Sequence, residues 1–164
     1  MFRVRRMQAE DVLGMMAVQL ASYQPEYHES LAILQSRYVA SPQTAWVALD
    51  ADGVCGYVVG YDSRLGKLTT LHADFQSDPQ PNCLYLHDLA IHPRAKGQRL
   101  AEQLIGQVMS SAQAKNYQGL ALVAVQGSVV FWQKQGFSVT TLTQSTAQQL
   151  ASYGSAACYM QYVF

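Results

Sequence analysis

The sequence has few charges and no excess of either sign: 11 lysines and arginines stand against 11 aspartates and glutamates, together 13% of the chain. A protein that grips duplex nucleic acid needs a cationic footprint, so a polyanion is not the expected partner, although a local basic patch would still take a small phosphate ligand. Cysteine is scarce too. Cys55, Cys83 and Cys158 lie far apart, with neither a CxxC pair nor a Cys/His zinc spacing. No metal is therefore expected, and the cysteines read as free thiols in a reducing compartment, the cytoplasm. A long uncharged apolar run is also missing. Arg3, Arg5 and Arg6 are followed by Glu10 and Asp11, which argues against a signal peptide. The most apolar segment, Leu120 to Trp132, is broken by Gln126, Gly127 and Ser128 and falls short of the roughly 20 residues that span a bilayer. A soluble protein without a membrane partner is the expectation. Repeats and low-complexity segments are absent.

What the chain does have is 49% apolar residues in a length of 164, enough to bury one sizeable core and too short to divide comfortably into two. A single domain over 1–164 follows. Phe2 to Met7 has strand character with arginines on one side. It leads into a helical stretch whose Leu13, Met16 and Leu20 share a face and whose first turn holds Glu10 and Asp11. Pro25 interrupts that helix, and a shorter one is expected from Glu26 to about Arg37, ending before Ser41 and Pro42. Thr44 to Leu49 and Val54 to Tyr61 flank Asp50-Ala51-Asp52-Gly53, where Asp-Gly supplies the positive φ of a tight hairpin. Residues 62–82, with Gly66, Pro79 and Pro81, read as a loop near a substrate entrance.

Leu84 to Ile91 forms a strand closed by His92-Pro93. Leu100, Leu104, Ile105, Val108 and Ala112 then recur at helical spacing up to Asn116 and Gly119. Leu120 to Val125 is a continuous apolar run, as in a central strand covered on both faces, so the unit is a strand-helix-strand crossover. Ser128 is placed to cap a short helix through Gln135, and Gly136 to end it. Phe137 to Leu142 resumes as strand, and after a polar stretch Cys158 to Val163 supplies the last one.

The sharpest local feature is Lys96-Gly97-Gln98-Arg99-Leu100-Ala101, between a strand and an amphipathic helix. Backbone N–H groups at a helix start have no intrahelical partners, and with the helix dipole they form a site for a pyrophosphate. Taken alone, the same spacing also fits an ordinary capped turn. A nucleotide-binding α/β domain would need a G-x-G-x-x-G turn with an acidic residue about 20 positions on, which is absent as required.

Leu-His-Asp-Leu-Ala-Ile-His-Pro at 86–93, the loop from Lys96 to Ala101, and Phe131-Trp132-Gln133-Lys134-Gln135-Gly136-Phe137, in that order and spacing, resemble the GNAT superfamily of N-acetyltransferases. The resemblance implies an α+β fold: a central, mixed, mostly antiparallel twisted sheet of six to seven strands, splayed between the fourth and fifth, with about four helices on its two faces. It also implies acetyl-CoA as cosubstrate. The pantetheine arm would pair with the main chain of Leu89, Ala90 and Ile91, and the diphosphate would sit on the amides of Gly97 to Glu102, through Gln98, Arg99, Leu100 and Ala101. Ser128 and Trp132 would line the thiol end. Lys96 stands where glutamine or arginine is usual. Arg99 stands where glycine is common, so its side chain must point away from the phosphates, toward the ribose 3′-phosphate.

Transfer from a thioester needs a neutral amine, and a lysine amine (pKa about 10.4) needs a base more than an α-amine (about 7.7 to 8.0) does. His87 is the candidate base, at a position where similar enzymes carry glutamate; a groove histidine is the competing reading. Asp88 should face the other way and brace backbone. Trp132 replaces the tyrosine that serves the family as general acid, and an indole cannot release a proton to a thiolate. Tyr23, Tyr27, His28 and Glu29 lie where the family's first two helices wall the acceptor site; Glu29 could hold an ammonium, or these residues form a solvated helix face. The acceptor is a small-molecule or peptide amine. A catalytically silent acyl-CoA sensor is the alternative, and the aromatic content permits a homodimer through the C-terminal strands.

Overall fold

The computed structural model describes residues 1–125 and 127–164; Gln126, named above as a break in an apolar run, lies outside the described residues. Among the described residues there are seven strands: β1 (Arg3–Arg6), β2 (Ala45–Asp50), β3 (Gly53–Ser63), β4 (Cys83–Ile91), β5 (Gly119–Ala124), β6 (Ser138–Val139) and β7 (Cys158–Val163). Five α-helices accompany them: α1 (Val12–Ser22), α2 (Leu31–Ala40), α3 (Leu100–Ala114), α4 (Val129–Lys134) and α5 (Gln144–Leu150). The strands form one sheet in the order β1-β2-β3-β4-β5-β7-β6. Pairs β1–β2, β2–β3, β5–β7 and β6–β7 are antiparallel, whereas β4–β5 is parallel. A parallel pair requires a crossover, and α3 supplies it. The parallel ladder runs from Cys83↔Gly119 to Leu86↔Leu122, while β4 runs on to Ile91. The sheet is thus mixed and splayed between the fourth and fifth strands, as expected.

The chain packs as two compact units, one made of 1–60 with 88–108 and the other of 61–87 with 109–164. In the first, the Asp-Gly hairpin forms between β2 and β3, with Gly53 at φ +112°. Glycine also allows close packing here: a Cβ on Gly56 would lie 2.7 Å from the Ile91 side chain and 3.2 Å from the Ala90 carbonyl oxygen. Helix α1 buries Val12, Met15, Val18 and Gln19, whereas Leu13 and Leu20 are 66% and 50% exposed. This corrects the face read from Leu13, Met16 and Leu20. Apolar residues occur all round this helix, so their spacing does not single out one stripe. Glu10 and Asp11 belong to a separate 3-10 turn, Ala9–Asp11, and Asp11 is paired with Arg5 at 2.7 Å. The second helix also starts later than Glu26: Pro25–Tyr27 is a 3-10 turn, and α2 begins at Leu31 after Ser30, whose side chain accepts the Ile33 N–H at 3.2 Å.

In the second unit, β5 is buried along nearly its whole length, and Gly119 is obligatory because a Cβ there would meet the Tyr162 carbonyl at 2.0 Å. Between β3 and β4, residues 64–82 contain neither helix nor strand, as read from the sequence. Two expectations are corrected. The strand expected over Phe137 to Leu142 shrinks to Ser138–Val139, and the polar stretch before β7 contains α5 and a 3-10 turn, Ala151–Tyr153. No residue of α5 is buried, so the helix has no apolar periodicity to betray it.

Candidate functional site

The loop after β4 is shaped by its own residues. His92 Nδ1 accepts the Arg94 N–H at 3.1 Å, and a 3-10 turn over Pro93–Ala95 buries Ala95. Two left-handed residues follow, Gly97 at φ +80° and Arg99 at φ +56°, with residues 96–99 exposed and Leu100 buried at the start of α3. Gln103 N–H is bonded to the Arg99 carbonyl at 3.3 Å. The amides of Leu100, Ala101 and Glu102 precede that bond and have no acceptor within the helix. No atom lies within 4 Å of a Cβ built on Gly97, so the space beside this glycine is open. The Arg99 side chain is 82% exposed and 4.0 Å from Glu102, so it extends into solvent.

Farther back along β4, alternation sorts the main chain. The Ala90 carbonyl faces Gly56, and the His92 N–H is bonded to the Cys55 carbonyl at 2.8 Å. Leu89 and Ile91 present theirs to the other side, where Tyr23 Oη lies 2.8 Å from the Leu89 oxygen and Ser22 Oγ donates to Ile91 at 3.2 Å. Tyr23 Oη is also 2.6 Å from Asp88 Oδ1, and Tyr57 Oη is 2.5 Å from Asp88 Oδ2. Burial first, and next the Asp88 carboxyl, push both phenols well above the ordinary tyrosine range, so they remain protonated donors. Tyr57 was not legible in the sequence as a site residue, because a partner 31 positions away leaves no local pattern.

The acceptor-side residues divide. Tyr23 and Tyr27 rings lie 6.2 Å apart, and His28 Nε2 is 2.8 Å from the Tyr23 carbonyl oxygen, so these three are together. Glu29 turns inward: it is 5% exposed and pairs with the equally buried Arg37 at 2.6 Å, with Gln19 donating to its carbonyl. Its charge therefore holds a guanidinium of the protein itself.

In the second unit, His87 is half-buried against aromatic rings. The Phe75 ring centroid lies 5.3 Å away and edge-on, and Tyr153 Oη is 3.5 Å from Nδ1. Tyr153 donates to the Thr69 carbonyl at 2.5 Å, and Tyr61 Oη is bonded to Thr69 Oγ1. Ser128 occupies the N-cap position of α4 without a side-chain capping bond. Trp132 is 8% exposed, packed edge-on against Phe131 at 5.0 Å and Phe137 at 5.3 Å. Among the described residues, no group of three or more His, Cys, Asp or Glu side chains is arranged to hold a metal ion. Cys55 and Cys83 are buried free thiols, pushed up to about 11 and about 12 by that burial, so neither is a ready nucleophile.

A splayed mixed sheet with a crossover helix whose amides follow a glycine turn defines a class, and the family comparison agrees with it. The profile of the acetyltransferase (GNAT) family matches residues 12–137. The chain belongs to that family. No curated protein matches it at a significant level. Among solved structures it is similar to the loading GNATL domain of CurA from Lyngbya majuscula, at 14% identity, over 99% of this chain and 98% of that one, with a TM-score of 0.77. It is also similar to the PaiA N-acetyltransferase from Thermoplasma acidophilum in complex with coenzyme A, at 15% identity, over 100% and 99%, with a TM-score of 0.71. A third is the ribosomal-protein-S18-alanine N-acetyltransferase from Escherichia coli, at 12% identity, over 99% and 94%, with a TM-score of 0.70. At these identities the likeness is one of fold. Among the described residues no helix is long and apolar enough to cross a membrane.

Proposed function

We propose that this chain is an acetyl-CoA-dependent N-acetyltransferase that moves the acetyl group directly to a primary amine in a ternary complex. The observation that carries the reading is the turn at Gly97 and Arg99, which leaves the amides of Leu100 to Glu102 ahead of the first bond of α3. These amides would hold the diphosphate, with Lys96 and Gln98 at its margin. The main-chain N–H groups of Leu89 and Ile91, whose carbonyls accept from Tyr23 Oη and Ser22 Oγ, would take the pantetheine arm as an added strand does, and Ser128 and Trp132 would meet the thiol end. Acetyl-CoA supplies the activated acyl group. His87 takes the proton from the amine, a task suited to an imidazole. Tyr23, Tyr27 and His28 meet the acceptor, a small molecule or a peptide terminus. The unbridged thiols fit a cytoplasmic protein.

Calorimetric titration with coenzyme A, followed by thiol release from acetyl-CoA over a panel of amines, tests this reading. Saturable binding with amine-dependent release is expected; no binding at millimolar ligand would remove its basis. Trp132 supports a second reading, because an indole stands where the family has its acidic tyrosine. An acyl-CoA sensor would bind the ligand and release no thiol with any amine. For the enzyme, Trp132→Phe is expected to keep turnover within about tenfold, since neither ring donates a proton to sulfur; complete loss in a folded protein contradicts this.

A further inference from the structure

The 3-10 turn over Pro93–Ala95 is fastened to the β2–β3 hairpin by a side chain that the proposed site does not use. Arg94 lays its guanidinium across the turn of that hairpin. Nε donates to Asp50 Oδ2 at 2.8 Å, and Nη2 donates to Asp50 Oδ1 at 3.2 Å and to the Val54 carbonyl at 3.0 Å. A planar fork on a carboxylate and a carbonyl fixes direction as well as distance, which a flexible ammonium does not. Asp50 is itself aimed, since its Oδ1 also accepts the Asp52 N–H at 2.9 Å. Two positions before Arg94, the His92 N–H is bonded to the Cys55 carbonyl at 2.8 Å. The hairpin therefore holds both ends of the stretch that enters the loop. Beyond it Ala95 is buried, residues 96–99 are exposed, and Gly97 and Arg99 sit in the left-handed region. An error in direction at Arg94 is thus passed on to the amides that open α3. The Arg94 and Asp50 side chains are 34% and 15% exposed, so the pair adds little to global stability and its main consequence is geometric.

We propose that Arg94, held by Asp50 and the Val54 carbonyl, is a positioning residue for coenzyme A: it sets the direction in which the loop leaves the hairpin, so that the amides of Leu100 to Glu102 converge on the diphosphate. The ligand named here rests on the N-acetyltransferase reading. Arg94 acts through the main chain and not as a counter-charge, because its own charge is already matched by Asp50. Lysine at this position would keep the charge and lose the fork.

Calorimetric titration of coenzyme A into Arg94→Gln, Asp50→Asn and the double variant separates shape from charge. Asparagine at 50 keeps an acceptor for the Asp52 N–H but sets an N–H against Arg94 Nε. Arg94→Gln should bind about fivefold and Asp50→Asn about threefold more weakly than wild type. The double variant should be no weaker than Arg94→Gln, since each change breaks the same contact. If Arg94 instead attracted the phosphates by its charge, Asp50→Asn would unmask that charge and tighten binding; tighter binding, or losses that add, overturns the proposal. Melting should drop by no more than about 4 °C. Lower melting with unchanged affinity at 25 °C reduces the pair to ordinary stabilisation and also overturns it. A ligand-free readout accompanies these: in nitrogen-15 relaxation the amides of Gly97 to Ala101 should show order parameters of about 0.85 in wild type, falling toward about 0.6 in Arg94→Gln. Unchanged order contradicts the role in shaping the loop. If wild type binds no coenzyme A, the functional reading fails and the ligand half of the proposal with it, while relaxation still decides whether Arg94 shapes the loop.

Discussion

The two irregular segments that flank β4 are built in opposite ways. Ahead of the strand, residues 64–82 are pinned by side chains distant in sequence. Gly66 N–H donates to Tyr159 Oη at 2.8 Å, Leu71 N–H to Ser152 Oγ at 3.0 Å, and the Thr69 carbonyl accepts from Tyr153 at 2.5 Å. After the strand, the turn itself is shaped by bonds two or three positions long, Arg94 N–H to His92 Nδ1, Ala95 N–H to the His92 carbonyl and Lys96 N–H to the Pro93 carbonyl, and only its start is tied to distant residues, through His92 N–H to the Cys55 carbonyl and the Arg94 guanidinium to Asp50 and the Val54 carbonyl. A segment whose shape is local can present its main chain to a ligand while its side chains vary, which is why Lys96 is tolerable where glutamine or arginine is usual. A segment shaped from afar depends on each of its anchors.

The largest effect should come from breaking a remote anchor. Tyr153→Phe keeps the ring and its packing but removes the donor to the Thr69 carbonyl, at a site where Tyr153 and Thr69 are 5% and 6% exposed. Leaving a buried carbonyl without its donor costs about 2 kcal/mol. For a chain of this length that lowers the melting temperature by roughly 4–8 °C, measured by calorimetry. A shift below 1 °C would mean that the loop does not lean on its distant partners. The local segment should answer differently. Gly97→Val places a β-branched residue at φ +80°, where the obstacle is the backbone and not space, since nothing lies within 4 Å of the new Cβ. The exposed loop is expected to relax out of that conformation in the free protein, leaving the melting temperature near normal, and binding must restore it, so coenzyme A affinity falls about tenfold, the equivalent of about 1.4 kcal/mol.

The same contrast explains what the sequence disclosed. Asp50 to Gly53, His92-Pro93, Gly97 and the spacing of Leu100, Leu104 and Val108 are local signals, and the hairpin, the loop and α3 all formed where they pointed. The phenols at Asp88, by contrast, arrive from 65 and 31 positions away, and the Tyr153 bond to Thr69 spans 84. Register and packing create those contacts, and no periodicity announces them. Helix α1 failed for another reason: Val12, Leu13, Met15, Met16, Val18 and Leu20 make nearly every face apolar, so only the sheet beneath decides which face is buried.

The smallest effect concerns Arg99, the one residue of the local loop that breaks its own conformational rule. At φ +56° a residue with a Cβ pays roughly 1–2 kcal/mol, and its ion pair with Glu102 is too long and too exposed to return much of that. Glycine would remove the strain but loosen the unfolded chain by about 0.5–1 kcal/mol. Arg99→Gly should therefore raise the melting temperature by only about 1–3 °C. Keeping arginine at such a position makes sense if its exposed guanidinium meets the 3′-phosphate of coenzyme A. An exposed pair of that kind is worth at most about 1 kcal/mol, so the variant should bind coenzyme A up to about fivefold more weakly and dephospho-coenzyme A as well as wild type does. Equal losses for both ligands would instead assign Arg99 to the shape of the loop, and main-chain recognition would then extend to every phosphate.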